Sequence, residues 1–230
     1  MIGSCPASSF ALGLGSFVLF DRSVYAGQMR LAPDDLVALL VATSFAAGLN
    51  VYATVATLGL LGQTGWLALP PPLHILSSWY IIAASALLFV VEFFADKIPA
   101  FDLIWNALHT FIRIPIAALL AYRATAQLSP SAQIICAVAG GVIAFAAHGG
   151  KTAVRAAVTP SPEPFSNIGL SLGEDVLAVG LTWLASKHPY IAAGIVAWLL
   201  IVIVCLTRWI WRALKALFRG AEKDWAGQPS

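Results

Sequence analysis

Between residues 36 and 211 the chain is a succession of apolar runs separated by short charged or proline-rich breaks. Each run is close to the roughly 20 residues that a helix needs to cross the hydrocarbon core of a bilayer. Hydrophobic residues make up 60% of the chain and charged residues only 10%, against about 25% charged in soluble domains, so a soluble globular class is excluded. The runs are continuously apolar rather than alternating, which excludes outer-membrane strands as well. The predicted class is all-α membrane, a six-transmembrane-helix bundle with spans at about 36–61, 79–95, 101–126, 132–157, 167–186 and 190–211.

The charges that do occur are concentrated in and beside these runs. The stretch EFFADKIPAFDLIWNALHTFIR carries Glu92, Asp96, Lys97, Asp102, His109 and Arg113. Asp102, Asn106, His109 and Arg113 recur at three- and four-residue spacing, a stripe along one helical face. His148, Lys151 and Arg155 share a face in the fourth run, and Asn167, Ser171, Glu174 and Asp175 lie mostly on one side of the fifth, after a break that contains Glu163. A charge at the bilayer centre costs about 2.5–3.5 kcal/mol on insertion scales, so these groups are predicted to converge inward, paired or around a wet cavity. The expected contacts are Asp96 or Asp102 with Lys151 or Arg155, and Arg113 or His109 with Glu174 or Asp175. In the first run Thr43, Asn50, Thr54 and Thr57 share a face, which reads as helix packing or, through Asn50, as a substrate or ion contact.

Three domains follow. Residues 1–33 form an N-terminal extension, with Met29 the expected true start of the protein and residues 1–28 upstream read-through or a disordered tail. A weak signal or interfacial anchor is the rival for that segment, although no basic residue precedes its short apolar run. Residues 34–211 form the membrane domain. Residues 212–230 continue a basic stretch that begins at Arg208 and is interleaved with Trp209, Trp211 and Trp225. That composition reads as an interfacial helix with snorkelling cations rather than a nucleic-acid binder. Basic residues favour the side that holds both termini, so both are predicted cytoplasmic. The cysteines Cys5, Cys136 and Cys205 have no paired spacing, which argues against a disulfide framework or a zinc site.

SFAAGLNVYATVA (44–56) aligns with AFAAHGGKTAVRA (144–156), and EFFADKIPAFD (92–102) with TWLASKHPYIA (182–192) at an A-x-K-x-P core. The order is the same in both halves, which predicts two three-helix repeats, 36–126 and 132–211, inverted relative to one another and with broken helices. Such repeats characterise transporters.

At DKIPAFDLIWNALHTFIRIP and again at HGGKTAVRAAVTPSPEPFSNIGLSLGEDV the chain resembles the bacterial integral membrane protein family catalogued as domain of unknown function 4126, over about residues 36–205. The resemblance implies that these two stretches form the site and implies nothing about a reaction.

The expected function is a small inner-membrane transporter or flippase-like carrier. Asn50, His109, Arg113, His148, Lys151 and Arg155 would bind an anionic, phosphorylated or lipid-linked substrate. Glu92, Asp96, Lys97, Asp102, Glu163, Glu174 and Asp175 would form ion pairs or couple protons or cations. Two alternatives stand beside it: a metal-dependent enzyme on a lipid headgroup, with a hard cation between the acidic clusters, and a structural protein with a buried salt-bridge core. No G-x-x-x-x-G-K-[ST] loop is present, and no cofactor is expected. Partners would be the bilayer, the substrate and, given the small size, a second copy in a homodimer.

Overall fold

The structure, a computed structural model, describes residues 33–95, 99–158 and 164–226. Met29 and the rest of the N-terminal extension up to residue 32, together with Asp96, Lys97 and Glu163, lie outside the described residues, as do the side chains of Asp102, Asn106 and Asn167.

All regular structure among the described residues is helical. The helices are α1 (Pro33–Leu49), α2 (Val51–Gln63), α3 (Trp79–Ala95), α4 (Pro99–Ala124), α5 (Pro130–Val158), α6 (Pro164–Lys187) and α7 (Pro189–Ala226), with a short 3-10 helix at Pro71–Ser77 before α3. Five of the seven α-helices begin on a proline, whose fixed φ and missing N–H suit the first helical position. α5, α6 and α7 contain stretches long and apolar enough to cross a membrane, Pro130–Arg155, Ile168–Lys187 and Pro189–Ala213. A fourth is added if the 3-10 helix and α3, bent by 63° at their junction, count as one span. Large apolar side chains such as Phe111, Val138, Phe145 and Trp198 are more than half exposed, a surface suited to lipid. This is a helical membrane protein.

The centre of the packing is α1. Every residue from Ala42 to Asn50 is buried, and α1 touches α2, α4, α5, α6 and α7. A helix that is apolar all round has no face to offer water and is stable only when enclosed. Its threonine does not need a partner helix: Thr43 Oγ1 bonds the Leu39 carbonyl at 2.9 Å, as Thr54 does with the Asn50 carbonyl in α2.

The single span expected at 36–61 is two helices. Asn50 has extended backbone (φ −149°, ψ 104°) and caps α2, its side-chain oxygen accepting from the Ala53 N–H. The direction of α2 follows from contacts. Ser44 meets Gly140, Gly48 meets Ala144 and Leu49 meets Lys151, so α1 and α5 run parallel. Gly140 meets Ala121, Gly141 meets Ala118, and Thr110 meets His148, so α4 and α5 run antiparallel. Glu92 pairs with Arg113 across a connection of only residues 96–98, too short at about 3.3–3.6 Å per residue to let α3 and α4 run the same way. Gly62 meets Ser77 and Gly59 meets Ile82, which sets α2 antiparallel to α3. Taken together, α2 runs opposite to α1, and the two form a helical hairpin turned at Asn50.

Two expectations are corrected by this. Inversion of repeats 36–126 and 132–211 needs the first and fourth runs antiparallel, whereas α1 and α5 are parallel. The single span expected at 36–61 is the other, and α7 runs as one helix of 38 residues through Arg208 to Ala226.

Candidate functional site

The turn at Asn50 sits in a layer of buried ionisable groups drawn from four other helices, α3, α4, α5 and α6. Among the described residues its charged members are three cations, Arg113, Lys151 and Arg155, and three anions, Glu92, Glu174 and Asp175, each less than a tenth exposed. Helical spacing explains how each helix supplies them. Steps of three and four put His148, Lys151 and Arg155 on one face of α5, and Ser171, Glu174 and Asp175 on one face of α6, together with the buried Ala178 and Thr182.

One part of the layer joins α1, α5 and α6. Glu174 takes a two-point contact from Arg155, with Nη2 to Oε2 at 2.7 Å and Nε to Oε1 at 3.3 Å. The Lys151 ammonium lies 3.0 Å from the same Oε2 and also donates to the Leu49 carbonyl at 3.3 Å. Asn50 Nδ2 donates to Asp175 at 2.9 Å. Asn50 thus ties the hairpin turn to α6 with one end of its amide and caps α2 with the other.

The second part joins α2, α3, α4 and α5. Arg113 pairs with Glu92, both fully buried, and its Nη1 donates to His148 Nδ1 at 3.1 Å. Because Nδ1 accepts, His148 carries its proton on Nε2 and donates it to Thr110 Oγ1 at 2.7 Å. His109 is the opposite tautomer. Its Nδ1 donates to the Trp105 carbonyl at 2.8 Å, so Nε2 accepts from the Tyr52 hydroxyl at 3.0 Å. The His109 ring also packs against Trp105 at 4.4 Å between centroids.

The structure brings together Asn50, Glu92, His109, Arg113, His148, Lys151, Arg155, Glu174 and Asp175. It pairs them differently from the sequence expectation. Arg113 was expected near Glu174 or Asp175 and is held by Glu92, while Glu174 is taken by Lys151 and Arg155 from the neighbouring helix. The reason is directional: with α3 antiparallel to α4, Glu92 reaches Arg113 at their shared layer, and the face of α5 that carries Lys151 and Arg155 packs against the face of α6 that carries Glu174. The contacts expected of Asp96 and Asp102 lie outside the described side chains. Tyr52, Thr110 and the Leu49 carbonyl were missed. Thr110 sits one turn before Arg113 and was open to the same spacing argument; a backbone carbonyl freed by a hairpin turn leaves no mark in a sequence. Among the described residues no group of three or more His, Cys, Asp or Glu side chains is placed to hold a metal ion.

The family described as domain of unknown function (DUF4126) matches residues 37–209, three quarters of the chain. No curated protein and no solved structure matches.

Proposed function

The chain belongs to the DUF4126 family, and from its buried charge layer we propose that it is a small carrier of a bacterial inner membrane, moving an anionic, phosphorylated or lipid-linked solute. In this reading α3 to α7 cross the bilayer and the α1–α2 hairpin enters from one side. One observation carries the proposal: a turned, non-helical backbone at Asn50 lies inside a ring of ionisable side chains. Backbone that leaves the helix at membrane depth is tolerated only where protein or a cavity encloses it, and helix breaks of this kind supply the ion and substrate contacts of carriers. The cations Arg113, Lys151 and Arg155, with His148, favour an anion. The acids Glu92, Glu174 and Asp175 would offset these cations when the substrate is absent.

The C-terminal end of α7 is the cytoplasmic side, because Arg208, Arg212 and Lys215 outnumber Arg123 and Lys187 at the opposite end. The start of α1 then faces away from the cytoplasm, unlike the shared side expected for both termini.

Reconstitution tests the carrier. Liposomes loaded with a pH-sensitive dye would be challenged with a panel of phosphate monoesters and short-chain phosphorylated lipids. Solute-dependent dye response that Arg155→Ala abolishes is the expected result; a folded protein that responds to no solute on the panel would sink the reading. A second reading, a purely structural bundle, is favoured by the balance of three cations and three anions among the described residues of the layer. It predicts no flux in either protein.

A further inference from the structure

The Lys151 ammonium occupies an unusual position. It lies against the carbonyl of Leu49, the last residue of α1, and within ion-pair distance of Glu174. A helix C-terminus carries partial negative charge from carbonyls that have run out of intrahelical partners. Hard oxygen donors of this sort, a helix-end carbonyl with a carboxylate beside it, bind a bare cation in carriers with broken helices. Here a side chain from α5 delivers the positive charge. A further oxygen is available on α6: Ser171 Oγ is fully buried and has no hydrogen-bond partner among the described residues, one turn before Glu174 and Asp175 on the same buried face.

We propose that Lys151 is a tethered cation filling a monovalent-cation site at the turn of the α1–α2 hairpin, built from the Leu49 carbonyl and Glu174, with Asp175 and Ser171 on the same buried face of α6. The lysine stem reaches the site from α5, so the ammonium is held there covalently and no free ion is required. The surrounding groups fit that assignment. Among the described residues α6 contributes the carboxylates of Glu174 and Asp175, and the other charged or titratable side chains of the layer are His148 and Arg155 on α5, His109 and Arg113 on α4, Glu92 on α3 and Tyr52 on α2. α1 contributes carbonyl oxygen, and α7 faces α5 at this level with the apolar Ile203, which touches Gly150. If the carrier reading also holds, on which this one consequence rests, flux through the native protein is independent of alkali cations and flux through Lys151→Ala becomes dependent on them.

The test uses chemical rescue. Purified Lys151→Ala would be melted in detergent in lithium, sodium, potassium, ammonium or choline chloride at matched ionic strength. The expected result is a saturable rise in Tm of several degrees with at least one small cation relative to choline. The native protein and Lys151→Met, whose side chain fills the space without charge, would show none, and Lys151→Ala/Glu174→Gln would lose the response. If Lys151→Ala cannot be purified in choline chloride, recovery of monodisperse protein only in a small-cation salt is the supporting outcome. Identical behaviour in every salt, or equal rescue of Lys151→Met, overturns the site. Because the readout is melting and not flux, a failed liposome assay leaves this result standing, and failed rescue leaves the carrier reading untouched.

Discussion

Glu92 and Arg113 illustrate how much depends on single side chains in a buried layer. Both are fully buried and paired. Desolvating two charges is expensive, and removing one partner leaves the other uncompensated, which costs about 3–5 kcal/mol in buried pairs. Glu92→Gln is therefore expected to lower unfolding free energy in detergent by that order. Glu92→Met/Arg113→Met should recover most of the loss, since an apolar pair of similar volume is tolerated; a double variant as unstable as the single one would contradict this account. Asn50 is sensitive in a different way. Asn50→Ala removes the α2 cap, worth about 1 kcal/mol, and the donor to Asp175. Asn50→Asp keeps a capping oxygen but sets a second carboxylate against Asp175, so its melting temperature is expected below that of Asn50→Ala. The stripe of His109 and Arg113 was legible from spacing alone. Their partners were not, because spacing orders residues along a helix and says nothing of which helix stands opposite.

At the scale of elements, α1 controls the packing. A Cβ on Gly48 would come 2.4 Å from the Ala144 carbonyl oxygen and 2.8 Å from the Ala144 Cα, so a larger residue there must push α5 away. Small residues are what permit such close helix approach in membranes. Gly48→Val is expected to destabilise by about 1–3 kcal/mol, the usual range for overpacking. The check is thermal melting beside Gly169→Val, where nothing lies within 4 Å of the added Cβ; equal losses would show that α1–α5 contact is not the cause. Helix starts at Pro99, Pro130 and Pro189 were readable from the prolines themselves. The break at Asn50 was not, because asparagine in an apolar run carries no obligatory turn geometry; its cap on Ala53, its bond to Asp175 and the Lys151 bond to the Leu49 carbonyl hold the reversal.

The helix directions make the whole molecule testable. With α1 and α2 antiparallel, Asp35 and Thr64 belong to one side, together with Leu128 and His188; a continuous span at 36–61 would put Asp35 and Thr64 on opposite sides. Single cysteines at these positions, in a background lacking Cys5, Cys136 and Cys205, are expected to react with an impermeant maleimide from the same face of intact vesicles. Labelling of Asp35→Cys and Thr64→Cys from opposite faces would remove the hairpin and, with it, the ring around Asn50. α7 extends this picture beyond the bilayer. Its 38 residues span about 57 Å at 1.5 Å per residue, nearly twice the hydrocarbon thickness of about 30 Å, and the exposed Trp209 and Trp211 with Arg208 and Arg212 suit the boundary where it emerges.

Sequence alone determined that this chain lives in a membrane, that it is helical, where most helices begin, and that Glu92, His109, Arg113, His148, Lys151, Arg155, Glu174 and Asp175 must turn inward. Those properties depend on local quantities: the apolar length of a run, the φ of proline, the helical period and the cost of a charge in hydrocarbon. Tertiary structure decided the reversal at Asn50, the parallel packing of α1 on α5, the pairing of Arg113 with Glu92, and the delivery of Lys151 to the end of α1. Each of these is a choice among partners with nearly equal local preference, and it is made only when enclosing α1 on all sides fixes which helices can stand next to it.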